Sequence, residues 1–163
     1  MRSLKFAACI VIGLFLLAGC KSDGDDADSG NGQPVPAKSL YERLGGKEAI
    51  TLVVDDFVQR AMANESVNFT RQGTSAAWDP TPANLMKLKA SLVAYVSSIT
   101  GGPVKYLGKD MAAAHAGMKI TDKEFFTAAA DLEASLIKFE VPQVERAELL
   151  QLVAATRGDV VGK

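Results

Sequence analysis

Four stretches of the chain place an apolar residue every three or four positions, and no stretch alternates apolar with polar long enough to make a strand. That regularity confines the chain to an all-α fold. In GGKEAITLVVDDFVQRAMA the stripe runs through Ile50, Val53, Val54, Phe57 and Met62. In TPANLMKLKASLVAYVSSIT it runs through Leu85, Leu88, Leu92, Tyr95, Val96 and Ile99, with Lys87 and Lys89 on the other face and Thr81-Pro82 as N-cap and first turn. In TDKEFFTAAADLEASLIKF, Thr121 followed by Glu124 spells a capping box, and Phe125, Ala129, Leu132, Leu136 and Phe139 face inward. Pro142 opens a last helix with Leu149, Leu152, Val153 and Val160 as inner positions. The glycine pairs Gly45-Gly46 and Gly101-Gly102 read as C-caps or turns that need positive φ.

Two segments of different character precede these helices. Residues 1–20, MRSLKFAACIVIGLFLLAGC, have basic Arg2 and Lys5, an apolar run from Phe6 to Leu17, and small residues before Cys20. This is the pattern of a secretory signal, and Leu17-Ala18-Gly19-Cys20 resembles the bacterial lipobox, in which Cys20 is lipidated and becomes the new N-terminus. The alternative, a single-span anchor, asks for roughly 20 apolar residues, more than the run supplies. The expected location is the periplasmic side, lipid-anchored to the membrane through Cys20. Lys21 stands where an aspartate would retain the protein at the inner membrane, so the outer membrane is favoured in a Gram-negative cell. Residues 21–38 are rich in Asp, Gly, Ser and Pro and read as a flexible tether. A calcium site is the rival reading, but Asp23, Asp25 and Asp28 lack the spacing of a binding loop and its closing glutamate.

The domain, residues 39–163, has about 125 residues, enough for one proper core. A net charge of −1 argues against a nucleic-acid partner. Cys9 leaves with the signal, so the domain has no cysteine and a single histidine; hydrolytic triads and zinc sites lack their usual parts. That histidine, His115 in DMAAAHAGMKIT, is by residue type and setting either a buried imidazole with one hydrogen bond or a ligand.

The order SLYERLGG, a helix containing DDF, GGPVKYLGKDMAAAH and finally VAATRGDVV resembles a truncated globin of the first group, from about Ser39 to Val161. The resemblance implies two antiparallel helix pairs stacked two over two around haem b. It implies that His115, in the Ala114-His115 step, is the proximal ligand of the haem iron, and that Phe69 stacks on the haem. Phe57-Val58 falls at a step where the family commonly has phenylalanine and tyrosine, and Leu88 and Leu92 fall on two positions that are often glutamine. Phe57, Val58, Leu88 and Leu92 would then line an apolar pocket over the iron. The register of Leu88 and Leu92 is counted across an insertion-like stretch, TRQGTSAAWDPTP. Tyr95 and Trp78 carry the remaining donors for that pocket, with core packing and loop anchoring as their default readings. Lys87, Lys89 and Lys105 are candidates to meet the haem propionates, against the commoner reading of solvated lysines.

The expected function is a membrane-tethered haem protein that binds a small diatomic gas, O2, NO or CO, outside the cytoplasm. The alternative is a nitric oxide dioxygenase or other haem redox enzyme. That reading needs a held oxygen, which Val58, Leu88 and Leu92 disfavour, and an unidentified electron donor, for which the chain carries no flavin or nicotinamide motif. A globin fold without haem, serving as an interaction domain, is a third reading that retention of His115 disfavours.

Overall fold

The computed structural model describes residues 37–163. The signal, Cys20 and most of the tether lie outside the described residues. Among the described residues seven helices follow one another: α1 Leu40–Arg43, α2 Gly46–Ala63, α3 Pro82–Ile99, α4 Met111–His115, α5 Asp122–Lys138, α6 Gln143–Ala155 and α7 Arg157–Val160. There is no strand among the described residues, only an isolated bridge between Ile120 and Val161. The all-α expectation holds.

The caps read from the sequence are formed. The Glu124 N–H donates to Thr121 Oγ1, and the Glu124 carboxylate accepts from the Thr121 N–H at 2.8 Å. Thr81 accepts from the Asn84 N–H ahead of Pro82. Ser39 and Glu42 make a further capping box at α1. These reciprocal bonds satisfy amides that the first helical turn leaves without partners.

α2 packs on both α3 and α5, α5 packs on α6, and α1 rests on α2 and α6. The core joins Leu40, Leu44, Ile50, Val53, Val54, Val58, Val93, Leu132, Leu136, Val141 and Leu149. α1 is pinned to the end of α3 by the Tyr41 N–H, which donates to the Thr100 carbonyl at 2.8 Å. Gly102 makes that approach possible, since a Cβ there would stand 2.6 Å from the Ser97 carbonyl oxygen and 2.9 Å from the Tyr41 ring.

Three details differ from the sequence reading. The last helix is two helices: Thr156 donates its hydroxyl to the Val153 carbonyl at 2.7 Å, α6 stops at Ala155, and Val160 is buried on α7 instead. The inner face of α2 continues through Val58 and Ala61, while Met62 is 43% exposed and lines an open cleft with Asn64, Phe69 and Pro80. Phe139 caps α5 at the surface, with the Lys138 ammonium 5.5 Å from its ring centre.

One polar cluster lies within the α2–α5 interface. Asp56, 8% exposed, accepts from Ser135 Oγ at 2.8 Å, from Arg60 Nε at 2.6 Å and from the Lys138 ammonium. The Lys138 contact foremost, then Arg60, holds the Asp56 carboxyl well below the usual carboxylate range.

α3 stands apart from the others. Of its 18 residues only Val93 and Ser97 are buried, and Leu85, Leu88, Leu92, Tyr95, Val96 and Ile99 are half-buried. Its packing partner is α2, with no comparable contact to α4 or α5. An amphipathic helix presents its apolar stripe to whatever covers it, and the stripe of α3 is covered only in part.

Candidate functional site

α4 is one short helix that ends on His115. Asp110 caps it, accepting from the Ala113 N–H at 2.7 Å, and the Ala112–Ala114 run adds no bulk. His115 is half-buried, and its Nδ1 lies 2.8 Å from the Met111 carbonyl oxygen one turn earlier. A carbonyl can only accept, so Nδ1 carries a proton, and in the neutral ring Nε2 keeps its lone pair. Among the described residues Nε2 has no hydrogen-bond partner. A backbone carbonyl that holds one ring nitrogen fixes tautomer and ring direction, as it does for imidazoles that ligate a metal.

The donor set also says what such an imidazole could serve. Among the described residues no three His, Cys, Asp or Glu side chains gather to hold a bare ion. A flat apolar group that needs a single nitrogen ligand is different: it suits one free Nε2, the alanines of α4 and the partly covered apolar face of α3. Haem fits these residues.

Val58 is completely buried, in the same cluster as Val54 and Val93. Phe57, Phe69 and Leu92 pack against that cluster, and Leu88 is half-buried one turn before Leu92. The structure therefore brings four of the five apolar residues, Phe57, Val58, Phe69 and Leu92, to one cluster, and none of the five carries a hydrogen-bond donor in its side chain.

Of the two possible outside donors, only the Trp78 indole N–H is engaged elsewhere by a hydrogen bond. The Trp78 indole N–H donates to the Phe69 carbonyl at 3.0 Å, with the two rings 5.4 Å apart and inclined by 59°. Trp78 is thus the anchor of the loop that carries Phe69. The Tyr95 ring stands edge-on to Tyr106 at 5.4 Å, and burial pushes its phenol pKa up. Of the three lysines considered for propionates, Lys89 pairs with Asp55 at 2.9 Å across the α2–α3 interface, while Lys87 and Lys105 are exposed.

Sequence reasoning missed Arg71. It is 5% exposed in the loop between α2 and α3, adopts φ +55°, and spends its guanidinium on backbone carbonyls and Glu124. Nothing in TRQG distinguishes it from a surface arginine; only Glu124, already marked by its capping box, hints at a partner.

The bacterial-like globin family model matches residues 39–161. A group 1 truncated hemoglobin, GlbN, of Mycolicibacterium paratuberculosis is 33% identical over 116 residues, covering 71% of this chain and 79% of that protein. The Fe(III) crystal structure of truncated hemoglobin from Tetrahymena pyriformis superposes with a TM-score of 0.66 at 27% identity, covering 77% of this chain and all of that one. The 2/2 hemoglobin of Synechococcus, solved in the cyanomet state with covalently attached heme, gives 0.65 at 29% identity over 76% and 98% of the two chains. From Ser39 to Val161 the helix order, the lone imidazole and these likenesses agree, and the chain belongs to the bacterial-like globin family, among the group 1 truncated hemoglobins.

Proposed function

We propose that residues 39–163 bind one b-type haem through His115 and use it to capture a small diatomic gas, O2, NO or CO. The observation that carries this reading is the Nδ1–H bond from His115 to the Met111 carbonyl, which leaves Nε2 as a directed lone pair. The likeness to proteins named hemoglobins, one of them solved with heme, supports it. Haem supplies an iron whose open side takes a diatomic ligand. Phe57, Val58, Leu88, Leu92 and Phe69 would supply the apolar bed, exclude water and offer the gas no donor.

That apolar character sets the gas preference. Dioxygen gains from a hydrogen bond because it carries partial negative charge when bound, and carbon monoxide gains less. The ferrous protein is expected to release oxygen quickly and to favour carbon monoxide. Val58→Tyr would add a hydroxyl worth about 0.5–1.5 kcal/mol, and should slow oxygen release several-fold in stopped-flow traces beside wild type. Slow release by the wild type itself would overturn the apolar pocket and favour a nitric oxide dioxygenase with an external electron donor.

The reading extends to location: Cys20 carries the lipid, the tether holds the globin on the periplasmic side, and Lys21 directs it to the outer membrane in a Gram-negative cell. The Leu-Ala-Gly-Cys step ahead of an acidic, glycine-rich stretch supports it. Mass spectrometry of the protein from membranes should find a diacylglycerol-modified N-terminal Cys20; an unmodified Cys20 in the mature wild type would end this part of the reading.

A further inference from the structure

We infer that Arg71 is a positioning residue: it clamps the loop carrying Phe69 to the turn that leaves His115, and thereby fixes the direction of His115 Nε2. Its guanidinium places Nε at 3.0 Å and Nη2 at 2.7 Å from one acceptor, the Met118 carbonyl oxygen. Nη1 donates to the Val67 and Asn68 carbonyls at 3.1 and 3.3 Å and to Glu124 Oε1 at 2.8 Å. All five contacts are made by a side chain that is nearly out of water, where an unsatisfied guanidinium would be costly.

The link to the imidazole runs through four hydrogen bonds. The His115 ring donates to the Met111 carbonyl, the His115 carbonyl accepts from the Met118 N–H at 3.0 Å, and the Met118 carbonyl accepts twice from Arg71. A second contact reinforces the first, because a Cβ on Gly117, at φ +79°, would lie 2.6 Å from Ser75 Oγ of the same loop. The loop thus rests on the turn after His115 at two adjacent residues. Glu124 completes the clamp: Oε1 takes Arg71 and Oε2 takes the Thr121 N–H and hydroxyl, each at 2.8 Å, so the start of α5 is held as well.

The backbone of Arg71 points the same way. Left-handed φ is disfavoured for any residue with a Cβ and is natural for glycine. Glycine would relieve the backbone and bring no guanidinium; the chain keeps the arginine. Lysine could not replace it, since a single ammonium cannot span Met118, Val67 and Glu124 together.

The effect on iron rests on the haem reading, whereas the clamp is measurable without haem. Arg71→Met keeps a long side chain with the same backbone strain and removes the donors. In the apo-protein, amide hydrogen exchange of residues 114–119 is expected to accelerate at least tenfold relative to α2 and α5, with Arg71→Lys recovering only part of the protection. In the haem-loaded ferrous protein, the iron–imidazole stretching band in resonance Raman is expected to shift or broaden in Arg71→Met and to return partway in Arg71→Lys. Uniform acceleration across all helices, with an unshifted band, would reduce Arg71 to a general stabiliser and overturn the inference. Should Arg71→Met not fold, Glu124→Gln carries the same two readings, because glutamine retains the capping box and loses the charge. A smaller change confined to residues 114–119 is then expected, and none there would overturn the clamp. Wild type that takes up no haem while the apo-protein still shows the localised exchange would remove the haem reading and leave the clamp standing.

Discussion

Alanine in place of His115 is expected to abolish specific haem binding while leaving the fold intact. Wild-type apo-protein titrated with haemin should develop a Soret band that saturates at one equivalent. The variant should need at least about a hundredfold more haemin, since losing even an outer partner of a metal ligand costs roughly 10–100-fold in affinity. His115 is the sole imidazole of the chain, and no cysteine lies within residues 39–163 to replace it. The folding cost is small, because His115 is half-buried at the last position of a five-residue helix and makes one hydrogen bond; about 1 kcal/mol is expected. Free imidazole added to the variant should restore much of the band by entering the space the side chain vacates. An unchanged ferrous spectrum in the variant would sink the assignment of His115 as ligand.

The second large effect concerns stability and acid. Asp56 is buried between α2 and α5 and serves three donors at once: Ser135, Arg60 and Lys138. Asp56→Asn keeps the shape and removes the charge. Hydrogen bonds to charged groups are worth more than neutral ones, but Arg60 and Lys138 are partly exposed and can turn to water. A loss of about 2 kcal/mol at pH 7 is therefore expected, or roughly 8 °C in the melting temperature of a domain this size. The sign of the pH effect follows from the carboxyl being held below its unfolded value of about 3.9. The charge contributes its full stability above that value and loses the contribution as pH falls toward the folded value. Urea melts of wild type and Asp56→Asn should differ at pH 7 and converge as pH falls below about 4. A difference that persists undiminished in acid would assign the stability to packing and not to charge.

Much of this architecture was legible in the residues because its causes are local. The capping box at Thr121 and Glu124 and the stripe through Leu132 and Leu136 depend on spacing along one helix, and both are present. The break at Thr156 was hidden because Leu149, Leu152, Val153 and Val160 keep an acceptable helical period across it; a hydroxyl bonding back to Val153 ends the helix without glycine or proline. Met62 fits its stripe by period and is nonetheless exposed, because period does not say where a partner helix ends. At the candidate site, His115 was singled out by being alone and by the alanines around it, whereas the partner of its Nδ1 is a backbone carbonyl that any residue supplies. Arg71 and the indole bond of Trp78 join positions across a loop to acceptors on the main chain, and side-chain patterns carry no trace of such pairings.

The thin burial of α3 bears on how a cell would handle this protein before its cofactor arrives. A helix with two buried residues in eighteen has little tertiary packing to hold it, and most helical stability in proteins comes from such packing. Newly made chains would therefore carry one loosely held, oily segment that proteases can unwind and cut. A ligand that binds only the folded form adds stability in proportion to the logarithm of its concentration over its dissociation constant. Haem would then act on abundance as well as on activity, so that the amount of intact globin tracks the haem supplied to it.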